Sequence, residues 1–367
     1  MSRLFDAGVL KKTDRGLYQF DHQLKHDYLA SRFLAGNADK WSSRSFDIVT
    51  FTSNSFDALV MTLEQINDAE RGDEFIKAIY DWNWSAIATC IADYKNTIPK
   101  HFSKETEVFA LATVALKLFD PIGGTRQRSQ KILSLLESPK NEPYVNAKSP
   151  EGIVNEVSLV SSDKEWFNEW KKIFTLSSDN TINENILNLV LHKDSRIGWA
   201  AANSIRRFTL THSESAYLRA IYNARKDTNP YDNAIRWRIV HILGICSTEP
   251  CILILLAALD KDEYKWVKYG AARSLIEIAA RSEDGSSIIK ELIKRIEVGS
   301  LPSIVLEEIG RAVFFEGASS SWQSQCLQLL QIIRDNQPKD DQGKWEKIMN
   351  EITSFYGKEK VDDLQTS

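Results

Sequence analysis

Three stretches of this sequence align with one another without gaps: Ile197-Gly198-Trp199-Ala200-Ala201-Ala202, Ile235-Arg236-Trp237-Arg238-Ile239-Val240 and Val267-Lys268-Tyr269-Gly270-Ala271-Ala272. Each continues in helical phase to a further apolar residue, Ile205, Leu243 and Leu275. The aromatic positions Trp199, Trp237 and Tyr269 lie 38 and 32 residues apart. A shorter apolar segment precedes each one, at 185–191, 214–225 and 250–259. Two further pairs follow the same plan, 286–297 with 302–315 and 321–334 with 341–356. A period of this size built from two helices predicts an all-α, HEAT-like solenoid. One helix pair cannot bury its own apolar face, whereas stacked pairs bury a continuous core. The small residues Ala200-Ala201-Ala202 and Gly270-Ala271-Ala272 let neighbouring helices approach closely.

The same reading extends towards the N-terminus. Helices are expected at 55–67, 72–81, 84–95, 104–119, 125–137, 151–161 and 164–175. Pro121-Ile122-Gly123-Gly124 and the stretch from Pro139 to Pro150 break this series into loops. At the start, Leu4, Phe5, Val9 and Leu10 are apolar. Thr13-Asp14-Arg15-Gly16 reads as a turn and Leu17-Tyr18-Gln19-Phe20 as a short strand, which gives a small hairpin. Asp21 is placed to cap the helix that follows. In that helix Leu24, Tyr28, Leu29, Phe33 and Leu34 recur at helical spacing, and Gly36-Asn37 ends it. The expected organisation is a hairpin and helix at 1–36 resembling the end of a winged-helix domain, a helical region at 37–180, HEAT-like repeats at 181–357, and a flexible tail at 358–367.

Composition narrows the function classes. The 367 residues are 43% hydrophobic and carry a formal charge of −4, which gives overall charge no role in attracting nucleic acid or anionic membrane. No apolar signal core follows Met1, and the run from Cys251 to Leu259 is too short to span a bilayer. These points lead to the expectation of a cytoplasmic protein with no membrane partner. Of the four cysteines, Cys90, Cys246, Cys251 and Cys326, none forms a Cys-x-x-Cys pair. Cys246 and Cys251 flank a turn and can approach each other, although the simpler reading is small apolar residues in a reduced protein.

Few residues suggest chemistry. His22 and His26 stand four apart on one helical face, as metal ligands can, but no third ligand follows and Gln23 occupies the position of a general base. Asp81, between Tyr80 and Trp82, reads as a cap for the helix beginning near Trp84 rather than as an acid catalyst. No Gly-x-Ser-x-Gly elbow occurs. Gly123-Gly124-Thr125 lacks the lysine that a phosphate-cradling loop needs. The expectation is therefore no enzymatic activity and no cofactor.

Charge is unevenly spread. Residues 186–298 carry a balance of +4, against −8 for the remainder. Arg206, Arg207, Arg236, Arg238, Lys265, Lys268 and Arg273 recur on the second helices of the repeats. Of these, Arg206, Arg236, Arg238, Lys265, Lys268 and Arg273 are expected to line one partner-binding face, while Ile205, Ile239 and Leu275 point to the core. Tryptophans and Tyr269 beside them would suit nucleic acid, but a solvated helix face over core aromatics is the favoured reading. A stand-alone HEAT-like nucleic-acid binder, similar to a DNA glycosylase, is the alternative.

Two stretches resemble a known family. Tyr18-Gln19-Phe20-Asp21-His22, running into His26-Asp27-Tyr28-Leu29-Ala30-Ser31-Arg32-Phe33-Leu34, resembles the strand and helix that open the C-terminal repeats of NACHT-type STAND ATPases. Asp27 stands where that family commonly has Glu or Gln, and Ser31 where it has Ala. Ile79-Tyr80-Asp81-Trp82-Asn83-Trp84 resembles a repeat element of some bacterial members. The resemblance implies a recognition and scaffold module in an antiviral sensor. It implies a protein ligand or trigger, with the ATPase domain supplied in cis or in trans.

Overall fold

Helix follows helix through almost the whole of the computed structural model, which describes residues 9–12, 18–51, 55–94, 101–136, 141–176, 184–225, 229–283 and 285–366. Strands β1 (Leu10–Lys12) and β2 (Tyr18–Phe20) pair antiparallel, Leu10 opposite Phe20. The expected turn at Thr13–Gly16 and the apolar Leu4 and Phe5 lie outside the described residues. Two compact units arise from the chain: Met1–Leu118 with Arg128–Asn168, and Phe119–Gln127 with Glu169–Ser367. The excursion of 119–127 has a local cause. Ile122 forms an antiparallel bridge with Phe315, and the Gly123 amide donates to the Phe314 carbonyl at 2.6 Å.

In the first unit, α1 (Gln23–Gly36), α2 (Ser43–Val49), α3 (Asp57–Gln65), α4 (Ala69–Trp82), α5 (Trp84–Tyr94), α6 (Lys104–Leu116), α8 (Glu142–Val145) and α9 (Pro150–Ser158) pack on one another in overlapping pairs. Helix α7 (Gly123–Leu135) lies between α6 and α8 in the chain, and α10 (Glu165–Leu176) follows α9. Phe46, Phe75, Trp82 and Phe109 are fully buried. Phe46 meets Phe75 and Trp82, the latter at 5.5 Å between centroids, and Phe109 meets Tyr80, all edge-on or tilted. Helices α2 and α8 fall where the sequence pattern predicts none. The first has its N-cap, Ser42, accepting from the Ser45 amide; the second has Pro143 in its first turn, where a missing amide costs nothing.

Helix α1 corrects the sequence-based expectation of its cap. Its N-cap is His22, whose Nδ1 accepts from the Leu24 amide at 3.2 Å, and not Asp21. Of its apolar stripe, Tyr28 is 54% exposed, and Leu24, Leu29 and Phe33 are exposed with it, whereas Leu34 is buried together with Asp27 and Ser31. The inward polar side chains are held by partners. Ser31 Oγ donates to the Tyr28 carbonyl at 2.8 Å and accepts from Gln65 Nε2 at 2.6 Å. Asp27 Oδ1 lies 2.8 Å from His26 Nδ1. These bonds offset part of the desolvation cost of burying the two side chains, although Asp27 Oδ2 has no hydrogen-bond partner among the described residues.

The second unit is the helical-repeat solenoid expected from the alignment. Its pairs are α11 (Glu184–Leu189) with α12 (Ser195–Ile205), α13 (His212–Ala224) with α14 (Pro230–Leu243), α15 (Glu249–Lys261) with α16 (Lys265–Arg281), α17 (Ser286–Glu297) with α18 (Ser303–Ala312), and α19 (Trp322–Asp335) with α20 (Lys339–Thr366). The second helices α12, α14, α16 and α18 pack in succession. Local signals fix the starts. Asp194 caps α12, Thr211 and Glu214 form a reciprocal capping box on α13, and Asn229-Pro230 opens α14. Helix α20 runs on to Thr366, where the sequence pattern predicts a flexible tail at 358–367. Once a helix is nucleated, each further residue adds a hydrogen bond at little cost. Among the described residues, no helix is long and apolar enough to cross a membrane.

Ile205, Ile239 and Leu275 are fully buried, as the phase of the repeats requires, and so are Ala201 and Ala271. Ala271→Leu adds volume to this close contact and is expected to lower stability by about 1–3 kcal/mol. A midpoint of urea unfolding equal to that of the wild type would show that this helix face is not packed as described.

Candidate functional site

The basic residues of the second helices do not form an outer face. Arg236, Arg238 and Arg273 are buried, Arg206 is nearly so at its side chain, and Lys265 and Lys268 are half-buried. Arg238 is 0% exposed and its Nη1 donates to the carbonyls of Val190 and His192, at 3.1 and 2.9 Å, just past the end of α11. Its guanidinium crosses α12 over Gly198, where an added Cβ would sit 2.2 Å from Nη1. Arg236 makes a two-pronged pair with Asp262, at 2.9 and 3.1 Å. Asp262 also accepts from the Tyr222 hydroxyl at 2.9 Å; burial first, and then this carboxylate, push the phenol up, so it stays a donor. Lys268 Nζ donates to the last carbonyls of α15, Leu259 and Asp260, at 2.9 and 3.0 Å. Lys265 Nζ lies 5.4 Å from the centre of the Trp266 ring.

The structure does bring Arg206 and Arg273 together, through an acid that the sequence pattern does not single out. Arg206, at the end of α12, donates to Glu277 and to the His241 carbonyl. The other oxygen of Glu277 takes Arg273 Nε at 3.0 Å. Arg273 Nη2 contacts both oxygens of Asp120 at 2.8 and 3.0 Å, and its Nη1 faces Glu308 at 3.9 Å. Glu308 in turn faces Arg311 at 3.6 Å. Burial opposes the charge on Arg273, but Asp120, Glu277 and Glu308 outweigh it and raise its pKa. A line of alternating charge thus runs from α12 through α16 to α18. The local surplus of +4 that suggests a basic surface comes from a window, 186–298, that leaves out Asp120 and Glu308. The i, i+4 spacing of Arg273 and Glu277 signals in the sequence that the two can pair, but not that the pair is buried.

With the arginines turned inward, the aromatic residues define what the second helices offer. Trp199 meets Trp237 edge-on at 4.9 Å between centroids, Trp237 stacks on Trp266 at 5.4 Å and 22°, and Trp266 meets Tyr269 at 5.3 Å. The His241 ring lies 5.5 Å from Trp199. Trp199 and Trp266 are buried, whereas Trp237 and Tyr269 are half-buried. Gly270 leaves room for this row, since a Cβ there would come 2.9 Å from Trp237 Cδ1. The row therefore crosses three repeats, with Trp199, Trp237 and Tyr269 at the positions the alignment marks and Trp266 joining the last two.

No family model matches this sequence, and no curated protein matches it. Among solved structures, the crystal structure of an engineered protein aligns with 90% of this chain and 96% of its own, at 13% identity and a TM-score of 0.28. At that score the likeness is no guide to fold or function.

Other sequence candidates have local roles. His22 Nδ1 is spent as the cap of α1, and His26 packs between Phe20 and Phe51 with centroids at 5.0 and 4.5 Å. Among the described residues, no group of three or more His, Cys, Asp and Glu side chains is placed to hold a metal ion. At the start of α5, Asn83 and not Asp81 accepts from the Ser85 amide, at 3.1 Å, because only Asn83 stands next to the first turn. In the Gly123-Gly124-Thr125 stretch, the Gly123 amide that a phosphate would need is given to Phe314.

Proposed function

We propose that this chain is a non-catalytic recognition and scaffold module, the sensor part of a NACHT-like signalling ATPase, and that it takes a protein ligand on the second helices of its repeats. The observation that carries this reading is the aromatic row from Trp199 to Tyr269, which spans three repeats and keeps Trp237 and Tyr269 half-open, with Lys265 against Trp266. Aromatic side chains beside a cation are the usual anchors of protein recognition. The inward-turned arginines weigh against the nucleic-acid alternative, because phosphate binding needs cations free to meet the backbone.

The test uses the signalling system that contains the chain. Tyr269→Ala with Lys265→Ala is expected to leave the helical circular dichroism and basal ATP hydrolysis of the system unchanged and to reduce trigger-stimulated hydrolysis at least tenfold. The isolated chain is expected to bind no ATP in calorimetry. Unchanged stimulation by the double variant, or saturable micromolar ATP binding by the isolated chain, overturns the reading.

A further inference from the structure

The joint between the second and third repeats of the solenoid holds two thiols in contact. Cys246 follows the end of α14 and Cys251 lies in the first turn of α15, and their sulfurs are 2.9 Å apart. Both are free, both are buried, and the Thr248 hydroxyl sits between them, 3.2 Å from Cys246 Sγ and 3.3 Å from Cys251 Sγ. Residues 247–250, the connecting turn and the first residues of α15, are exposed, so the pair lies directly under the surface. A disulfide needs its sulfurs at about 2.05 Å, which here asks for an approach of about 1 Å.

We propose that Cys246 and Cys251 are a reversible dithiol–disulfide site, oxidised by exchange with a low-molecular-weight disulfide of the glutathione class. The two sulfurs have different parts in the exchange. Cys246 lies nearer the solvent and accepts the hydrogen bond that Cys251 donates, which favours its thiolate. Burial pushes the Cys246 thiol up, but the hydrogen bonds of Cys251 and Thr248 and the positive charge of Arg219 outweigh it and hold it below its ordinary value. Burial and the neighbouring Cys246 push Cys251 up to about 11. Cys246 is therefore the attacking thiolate and Cys251 the resolving thiol.

The steps balance. The Cys246 thiolate attacks one sulfur of the small disulfide, whose S–S bond breaks and releases one thiolate. Cys251 then gives its proton to solvent and attacks Cys246 Sγ in the mixed disulfide. The bond between the two cysteines forms, and the second small thiolate leaves. The protein loses two electrons and two protons, and the small disulfide becomes two thiols. The product ties the end of α14 to the first turn of α15 and so fixes the spacing of two successive repeats. Cys90 and Cys326, buried and distant in sequence, take no part.

The test is a redox titration of the full chain in mixtures of reduced and oxidised glutathione, quenched by alkylation and read by mass spectrometry. Oxidation is expected to lower the number of alkylatable thiols from four to two and to leave the peptide containing residues 246–251 lighter by two hydrogens and unalkylated. Dithiothreitol is expected to restore all four. Cys251→Ser is expected to stop at a glutathione adduct on Cys246, and Cys246→Ser to form neither adduct nor disulfide. The proposal is overturned if four thiols remain alkylatable across the titration, or if the wild-type chain accumulates a glutathione adduct or a disulfide-linked dimer instead. Because the wild-type titration needs no variant, a folding defect in either substitution leaves the proposal testable.

Discussion

Arg273→Met will lower the stability of this protein by about 3–5 kcal/mol, the cost of removing one member of a buried ion pair. The arginine holds Asp120, Glu277 and Glu308 together in the middle of the solenoid, and all three lose their common cation at once. Methionine fills similar volume, so the loss reports charge rather than a cavity. Urea unfolding followed by circular dichroism measures it. The double variant Arg273→Met with Asp120→Asn should recover a measurable part, because one uncompensated carboxylate is removed and the two positions are coupled. Equal stability of Arg273→Met and wild type would mean that the charge line contributes nothing, and failure of the double variant to recover would mean that Asp120 is not part of it.

Gly72→Ala should be the most damaging glycine substitution in the first unit. A Cβ at this position would fall 1.8 Å from the His101 carbonyl oxygen, a backbone atom that cannot swing aside. The neighbouring bonds make yielding harder still. Asp73 Oδ1 accepts from the Ser103 amide at 2.8 Å, and Asp73 Oδ2 pairs with Lys164 Nζ at 2.6 Å. Burial raises the Asp73 pKa, but these bonds outweigh it and leave the carboxyl below its ordinary value, so the clasp is charged at neutral pH. Alanine is the better helix former by about 1 kcal/mol, and overpacking typically costs about 1–3 kcal/mol. A clash with backbone puts the net effect at the upper end of that range. A denaturation midpoint at or above that of the wild type would show that the 101–103 segment moves away without loss.

The repeat helices are legible in the sequence because an apolar period of 3.6 residues, sustained over ten or more positions, is the mark of a helix with one buried side. Trp199, Trp237 and Tyr269 fall together for the same reason, since they hold one phase of the repeat. Periodicity says which residues share a face, but not which way that face points. In α1 the periodicity groups Leu24, Tyr28, Leu29 and Phe33 without saying where they point; they are exposed, while Asp27 and Ser31 take the interior and bond His26 and Gln65 there. The basic residues mislead through a related gap. An arginine on a repeat helix reads as surface until its acid is found, and Asp120 lies 153 positions from Arg273. No local window contains both. Arg238 is harder still, because its partners are backbone carbonyls, which every sequence supplies equally.

The charge line from Arg206 to Arg311 also bears on how such an array can change over evolutionary time. Solenoids commonly gain and lose units by duplication and deletion, because each unit meets only its immediate neighbours through interchangeable apolar faces. Here the units are keyed. Arg206 of one pair reaches Glu277 two pairs on, Arg236 needs Asp262 of the next, and Arg273 needs both Glu308 and the upstream Asp120. Excising the third pair would strand the buried charges of Arg206, Arg236 and Asp120, and inserting a copy beside it would separate partners that must touch. Such a chain can diversify through its half-open aromatic positions, but the order of the units that share these buried charges is constrained.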